Sequence, residues 1–289
     1  MRLIAVIDIG SHSTKLEIFK INQGKKVKSI FKRNDYLYLF EDINSLSYLS
    51  NTMINNLSLL LLKYKEIISF YCCKKTKVIA TSALREATNS KEVVSFIKDK
   101  TDLSIEVISG DQEACFSQLA FLSLKLKSHF SVIFDLGGGS TEVSLFKNNK
   151  AVFSHSFDIG VIRCINDNKP EEWSKLQDFI LSNNNDLPLC VGLGSSVRRF
   201  AQMIKQKKHK NGFIIKKSSV DSFNDIMINN DFSYIKTHYN LNGLKCEYLN
   251  TIISLLSLFY KILKIDKIYY YPISIRKGVA LSELNNKKG

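Results

Sequence analysis

The feature that most constrains this chain is an internal repeat. Residues 5–20 read AVIDIGSHSTKLEIFK and residues 132–147 read VIFDLGGGSTEVSLFK. Asp8/Asp135, Gly10/Gly137, Ser13/Ser140, Thr14/Thr141, Phe19/Phe146 and Lys20/Lys147 recur 127 residues apart, and the apolar positions between them match in type. Solenoid repeats have periods of about 20–50 residues, so an offset this long predicts a duplicated domain. In each copy an apolar run ends in Asp-(Ile/Leu)-Gly, small residues turn the chain, and an alternating run follows, which is the pattern of a β-hairpin with a carboxylate at its tip. Glycine and serine in the turn let backbone N–H groups converge on an anion, and the aspartate can hold a hydrated cation beside it. A single Asp-x-Gly turn is common and means little. Two at matching positions predict a phosphate and metal cleft between two similar domains.

Composition agrees with two folded domains. The 289 residues are 45% apolar and 24% charged, and 3 Pro with 13 Gly leave little for low-complexity linkers. The balance of 41 basic against 27 acidic residues, net +14, favours a polyanionic partner such as nucleic acid, nucleotide or polyphosphate, although scattered solvated lysines account for part of it. Cys72, Cys73, Cys115, Cys164, Cys190 and Cys246 form no CxxC pair and read as reduced core thiols. Asp8 interrupts the apolar start before a signal-peptide core can form, and Ile252–Leu263 is far shorter than the roughly 20 residues of a membrane span. The expectation is a cytoplasmic protein without a membrane partner.

Periodicity and capping signals give the order of elements. After the first hairpin come a strand near 26–32, a helix through 46–68, a strand at 76–80 and a helix opened by Thr81-Ser82, with Arg85 one turn in. A helix at 90–100 and a strand at 104–109 lead to Gly110-Asp111-Gln112-Glu113, which begins a helix to about Lys125. The second half has strands at 130–135, 141–147, 152–157 and 188–192, helices over 196–263, a strand at 267–271 and a last helix from Arg276. The domains are expected at 1–121 and 122–275, with the helix over about 276–289 folding back on the first.

The motifs occur in an order that resembles one family. Val6-Ile7-Asp8-Ile9-Gly10-Ser11, Ala80-Thr81-Ser82-Ala83-Leu84-Arg85, Ile108-Ser109-Gly110-Asp111-Gln112-Glu113-Ala114, Phe134-Asp135-Leu136-Gly137-Gly138-Gly139-Ser140-Thr141-Glu142, Val191-Gly192-Leu193-Gly194 and Ser274-Ile275-Arg276-Lys277-Gly278-Val279 closely resemble the exopolyphosphatase and guanosine pentaphosphate phosphatase (Ppx/GppA) family. The resemblance implies an α/β, duplicated actin/Hsp70-like (ribonuclease H-like) two-domain fold with an interdomain cleft. It also implies hydrolysis of a terminal phosphoanhydride and dependence on Mg2+ or another divalent cation.

Phosphoryl transfer needs a positioned water, neutralised charge and a clamp on the oxygens more than covalent help. Glu113 matches the family's catalytic glutamate and is the expected general base. Arg85 matches its phosphate-contacting arginine, whose guanidinium can fork across two oxygens. Asp135 and Glu142 fall where the family places metal and water ligands, with Glu142 also counted as catalytic, and Asp8 is the symmetric carboxylate. Ser11, His12 and Ser13 are the expected first phosphate loop, and Gly137, Gly138, Gly139 and Ser140 the second. Gly194 and Ser195 resemble a third anion-binding turn before a helix, and Arg276 matches an arginine in the family's C-terminal motif.

Three positions depart from the pattern: His12 stands where Asn is usual, Gln112 where an acid is common, and Ser195-Ser196 where Gly-Thr is usual. The expected substrates are inorganic polyphosphate, guanosine pentaphosphate or both, between which the sequence does not choose. No specific nucleic acid is expected, and a second copy of the chain is an open partner. The Lys205–Lys210 run with Lys216 and Lys217 is either a track for a polyanion or a solvated loop. The rival readings are a catalytically weak polyphosphate or alarmone binding protein and an ATP-dependent kinase or ATPase of the same fold.

Overall fold

A computed structural model describes residues 2–22, 26–166, 169–183, 189–209, 212–239 and 246–285. By their contacts they form two compact units, Met1–Leu124 with Ser274–Gly289, and Lys125–Ile273.

The first unit begins with β1 (Arg2–Ile9), β2 (Ser13–Ile21) and β3 (Val27–Tyr36), followed by α1 (Leu39–Leu46), α2 (Asn51–Phe70), β4 (Lys75–Ala80), α3 (Ser82–Glu86), α4 (Ser90–Thr101), β5 (Ile105–Val107) and α5 (Gly110–Leu122). The sheet order is β3-β2-β1-β4-β5. β1–β2 and β2–β3 are antiparallel, and β1–β4 and β4–β5 parallel. β1 is central because its run from Ile4 to Ile9 is buried on both faces, which suits a strand covered above and below. The single helix expected over 46–68 is two. Ser47 adopts a left-handed φ of 65° and ends α1, and Ser50 restarts the chain by accepting a hydrogen bond from the Met53 N–H at the head of α2.

The second unit contains β6 (Phe130–Leu136), β7 (Thr141–Lys147), β8 (Lys150–Phe157), α6 (Arg163–Asn166), α7 (Pro170–Leu181), β9 (Leu189–Leu193), α8 (Ser195–Met203), β10 (Lys208–His209), β11 (Gly212–Lys216), α9 (Lys217–Asn229), α10 (Phe232–His238), α11 (Cys246–Leu263) and β12 (Lys267–Tyr270). Its sheet runs β10-β11-β12-β9-β6-β7-β8. Taken from β8 inward, β8-β7-β6-β9-β12 repeats the first sheet with the same sequence of two antiparallel and two parallel pairings. The repeat seen in sequence is therefore a repeat of topology.

Helices dominate 196–263 as expected, and β10 and β11 add two short strands within it. Phe213 to Lys216 pair antiparallel with β12, and Lys208–His209 with β11, so Lys208 and Lys216 lie in strands β10 and β11, while Lys205 and Lys207 precede them, Lys217 opens α9 and Lys210 is outside the described residues. Pro188, expected to open β9, also lies outside them. α11, the apolar stretch noted in sequence, buries Ile252, Leu255, Leu256 and Phe259 completely. Among the described residues no helix is long and apolar enough to cross a membrane. The five cysteines whose side chains are described are free thiols, but most are not core residues. Cys190 is buried, Cys73 and Cys164 are half-buried, Cys72 and Cys115 are exposed, and the side chain of Cys246 lies outside the described residues.

The last helix, α12 (Ile275–Asn285), belongs to the first unit. Ile275, Val279 and Ala280 join Ile4, Val6, Phe19 and Ile108 in one apolar cluster with Phe116 of α5. Glu283, buried beneath this layer, is paired with Lys75 and lies 3.7 Å from Lys77. That packing carries Arg276, at the head of α12, to the carboxyl end of β1.

Candidate active site

In the first unit, α5 starts with a capping box. Ser109 Oγ accepts from the Gln112 N–H at 3.2 Å, and Gln112 Oε1 accepts from the Ser109 N–H at 2.9 Å. Gln112 thus has a use that an acid could also serve, setting the first turn from which Glu113 projects. Arg85 Nη1 donates to the Ile108 carbonyl at 3.0 Å and to Glu113 Oε2 at 3.3 Å, joining α3 to the β5–α5 connection. Both side chains are only partly buried. The contact orients the Glu113 carboxylate beside a permanently charged guanidinium.

The first loop closes with Gly10 N–H donating to Ser13 O at 3.2 Å. Ser11 Oγ donates to Ser82 Oγ, 3.3 Å, and Ser82 Oγ to Glu86 Oε1, 2.8 Å, so the loop is tied to the helix that carries Arg85. The His12 ring packs edge-on against Tyr36 and Tyr38, with centroids 5.2 and 4.6 Å away. On the carboxylate side, Asp8 forms an ion pair, Arg276 Nη1 to Asp8 Oδ2 at 2.8 Å. Arg276 Nε donates to Glu17 Oε2 at 3.1 Å, and Glu17 also accepts from Ser274 Oγ and from Lys32. Burial alone would push the Glu17 carboxyl up, but Arg276 and Lys32, with hydrogen bonds from Ser29 and Lys32, bring it below the ordinary glutamate value.

In the second unit the corresponding turn closes in the same way, Gly137 N–H to Ser140 O at 2.9 Å. Its outer carbonyls are all engaged by the segment after β8. Val161 N–H donates to Gly137 O, Ile162 and Arg163 N–H to Gly138 O, and the Arg163 side chain through Nε to Gly139 O at 2.6 Å. A trans peptide is planar with its C=O and N–H opposed, so fixing these three carbonyls on one side turns the N–H groups of Gly138, Gly139 and Ser140 to the other. Three successive N–H groups facing one way form an anion cradle. Gly160 makes the arrangement feasible: a Cβ there would stand 2.3 Å from Gly138 O.

Asp135 and Glu142 face each other across β6 and β7 and so share a face of the hairpin. Glu142 is buried, with Oε1 accepting from Ser140 Oγ at 2.7 Å and Ser156 Oγ at 2.8 Å. Gly194 takes φ 91° at the start of α8, and a Cβ there would meet Asp135 Oδ1 at 2.9 Å. The expected third anion turn, Gly194-Ser195, therefore lies against a carboxylate of its own unit, which the positive end of α8 stabilises. Among the described residues no group of three or more His, Cys, Asp or Glu could enclose a metal ion. A pair of carboxylates fits magnesium, which keeps several waters and takes one or two carboxylates alongside substrate phosphates.

Within the first unit Ser11 bonds the helix of Arg85, which contacts Glu113, and within the second Asp135 faces Glu142 beside the 137–140 turn and Gly194. Sequence reasoning missed Glu17, Gly160 and Arg163. Their signals were present: Glu17 is the one acid of its strand, where the repeat has Ser144, and Gly160 and Arg163 bracket an apolar pair shortly after a strand.

Comparison with known proteins agrees with this architecture. A crystal structure of the Aquifex aeolicus Ppx/GppA family member superposes with a TM-score of 0.82 over 100% of this chain and 99% of that one, at 23% identity. The fold is thus the α/β fold of that family member, with the sheet topology repeated in the two units. The profile of the Ppx/GppA phosphatase family matches residues 17–287, and the chain belongs to that family. A putative exopolyphosphatase of Haemophilus influenzae is 22% identical over 98% of this chain and 91% of its own length. A bifunctional 3-dehydroquinate synthase/phosphatase of Fusobacterium nucleatum is 33% identical over 170 residues, 56% of this chain, and the match spans 26% of that longer protein.

Proposed function

We propose that this chain is a divalent-cation-dependent phosphoanhydride hydrolase that releases the terminal phosphate of inorganic polyphosphate, of guanosine pentaphosphate, or of both. The observation that carries this reading is the second loop, whose carbonyls are held back so that three N–H groups face one side, next to the Asp135–Glu142 pair. Those N–H groups take the oxygens of a phosphate, and a magnesium ion held by Asp135 and Glu142 would neutralise charge on the phosphoryl group. Glu113 accepts the proton of the attacking water, and Arg85 holds Glu113 in place while offering its guanidinium to phosphate oxygens. Arg276 acts through Asp8 and Glu17, which share it. Ser11 and Ser13 frame the second phosphate cradle, in the first unit. Similarity to the Haemophilus putative exopolyphosphatase supports polyphosphate as one substrate.

The test is phosphate release from long-chain polyphosphate and from guanosine pentaphosphate, side by side, with magnesium and with a chelator. Release from at least one substrate, abolished by the chelator, is expected. No release from either with any divalent cation contradicts the proposal, and tight binding without release identifies a binding protein instead.

A further inference from the structure

Arg163 stands behind the second loop. Its side chain is 8% exposed, and Nε reaches the Gly139 carbonyl at 2.6 Å while its own N–H donates to Gly138 O. Nη2 lies 3.9 Å from Asp158 Oδ1, a carboxylate about half exposed. A guanidinium stays protonated in any protein, so this is a permanent positive charge in the interior of the loop's support. The matching place in the first loop is built differently. The His12 carbonyl accepts from two neutral backbone donors, the N–H groups of Leu37 at 3.3 Å and Tyr38 at 3.2 Å.

We propose that Arg163 is a positioning residue of the second loop, which sets the affinity of the Gly138–Ser140 N–H groups for a phosphate oxyanion by holding and polarising the Gly139–Ser140 peptide. The bond fixes the peptide plane, so the Ser140 N–H points away from Arg163. A charged donor on the carbonyl oxygen also polarises the peptide and strengthens its N–H as a donor at the far end. The same charge adds a favourable field for an anion on the loop's open side. Arg163 touches no substrate; it acts through Gly139 and Ser140. The inference rests on the proposed function, because it takes the ligand of this loop to be a phosphate chain.

Tripolyphosphate titrated into the full chain, followed by amide resonances of Gly138, Gly139 and Ser140, tests it without relying on turnover. In the unaltered protein these three resonances shift on binding. Arg163→Met is expected to weaken tripolyphosphate about ten- to a hundredfold, the loss of a charged hydrogen bond, and to displace the free Ser140 resonance. Arg163→Lys keeps the charge without the side-on Nε donor and is expected to recover part of the affinity. With polyphosphate as substrate, the same variants raise KM more than they lower kcat. Thermal melts give the temperature at which each variant is fully folded, and Arg163→Lys alone decides the matter should Arg163→Met not fold. Unchanged affinity and an unchanged Ser140 resonance in a folded variant would overturn the role of Arg163. Absence of any shift in the unaltered protein would overturn the phosphate reading of the loop and this inference with it.

Discussion

The two hairpins are the same piece of structure used for different chemistry. Both close with the glycine N–H on the carbonyl of the serine three residues later, and both place their aspartate opposite the residue seven positions on. In the first, that residue is Lys15; in the second it is Glu142. Asp8 is then neutralised by Arg276, with Glu17 behind it, whereas Glu142 is held at Oε1 by two serine hydroxyls. The loops differ to match, since uncharged backbone donors hold the His12 carbonyl and a buried guanidinium holds that of Gly139. The turn geometry is shared because glycine and serine specify it locally. The charge pattern around it differs: one copy sets a carboxylate opposite a lysine, the other sets two carboxylates opposite each other.

The largest effect expected from disturbing this comparison comes from Arg276→Ala. Asp8 and Glu17 are both buried, and removing one partner of a buried charge network typically costs about 3–5 kcal/mol. Urea denaturation should show the loss in the first unit, and hydrogen exchange should confine it there. A loss below about 1 kcal/mol would mean that Asp8 is not balanced by Arg276 as described. Gly160→Ala should be next. The added methyl meets backbone atoms of Gly138 and Gly139, which cannot rotate away, so about 1–3 kcal/mol of stability is expected to be lost together with phosphate binding at the second loop. Unchanged tripolyphosphate affinity in that variant would detach the segment after β8 from the loop's function.

The smallest effect is a pH dependence confined to the first unit. Glu17 has its folded-state pKa depressed, so its ionisation stabilises the fold above the ordinary glutamate value of 4.5, and that contribution is lost as pH falls through the lower folded value. Glu17→Gln should cost about 1 kcal/mol at neutral pH, where a charged bond becomes neutral, and should flatten the acid limb of stability below pH 4.5. An acid limb as steep as that of the unaltered chain would show that other carboxylates set it.

Much of this was legible in the residues because it is local. The hairpin turns, the Ser109 cap of α5 and the placement of Arg85 and Glu113 follow from short segments whose chemistry is written in order. What was not legible depends on distant partners. β11 pairs with β12 across some fifty residues of chain, and its short apolar run carried no sign of that edge. Glu17 could be recognised as odd, but only the packing of α12 shows that it shares Arg276 with Asp8. Arg163 could be read as an ordinary helix arginine until the loop was seen in front of it.

The central claim is that Glu113 activates water while the loops hold the phosphate chain. Glu113→Gln keeps the shape and the capping turn and removes the base. The account predicts turnover reduced about 10²–10⁴-fold, on polyphosphate or guanosine pentaphosphate with magnesium, and tripolyphosphate affinity close to that of the unaltered chain. Turnover within a few-fold of the unaltered chain would contradict it.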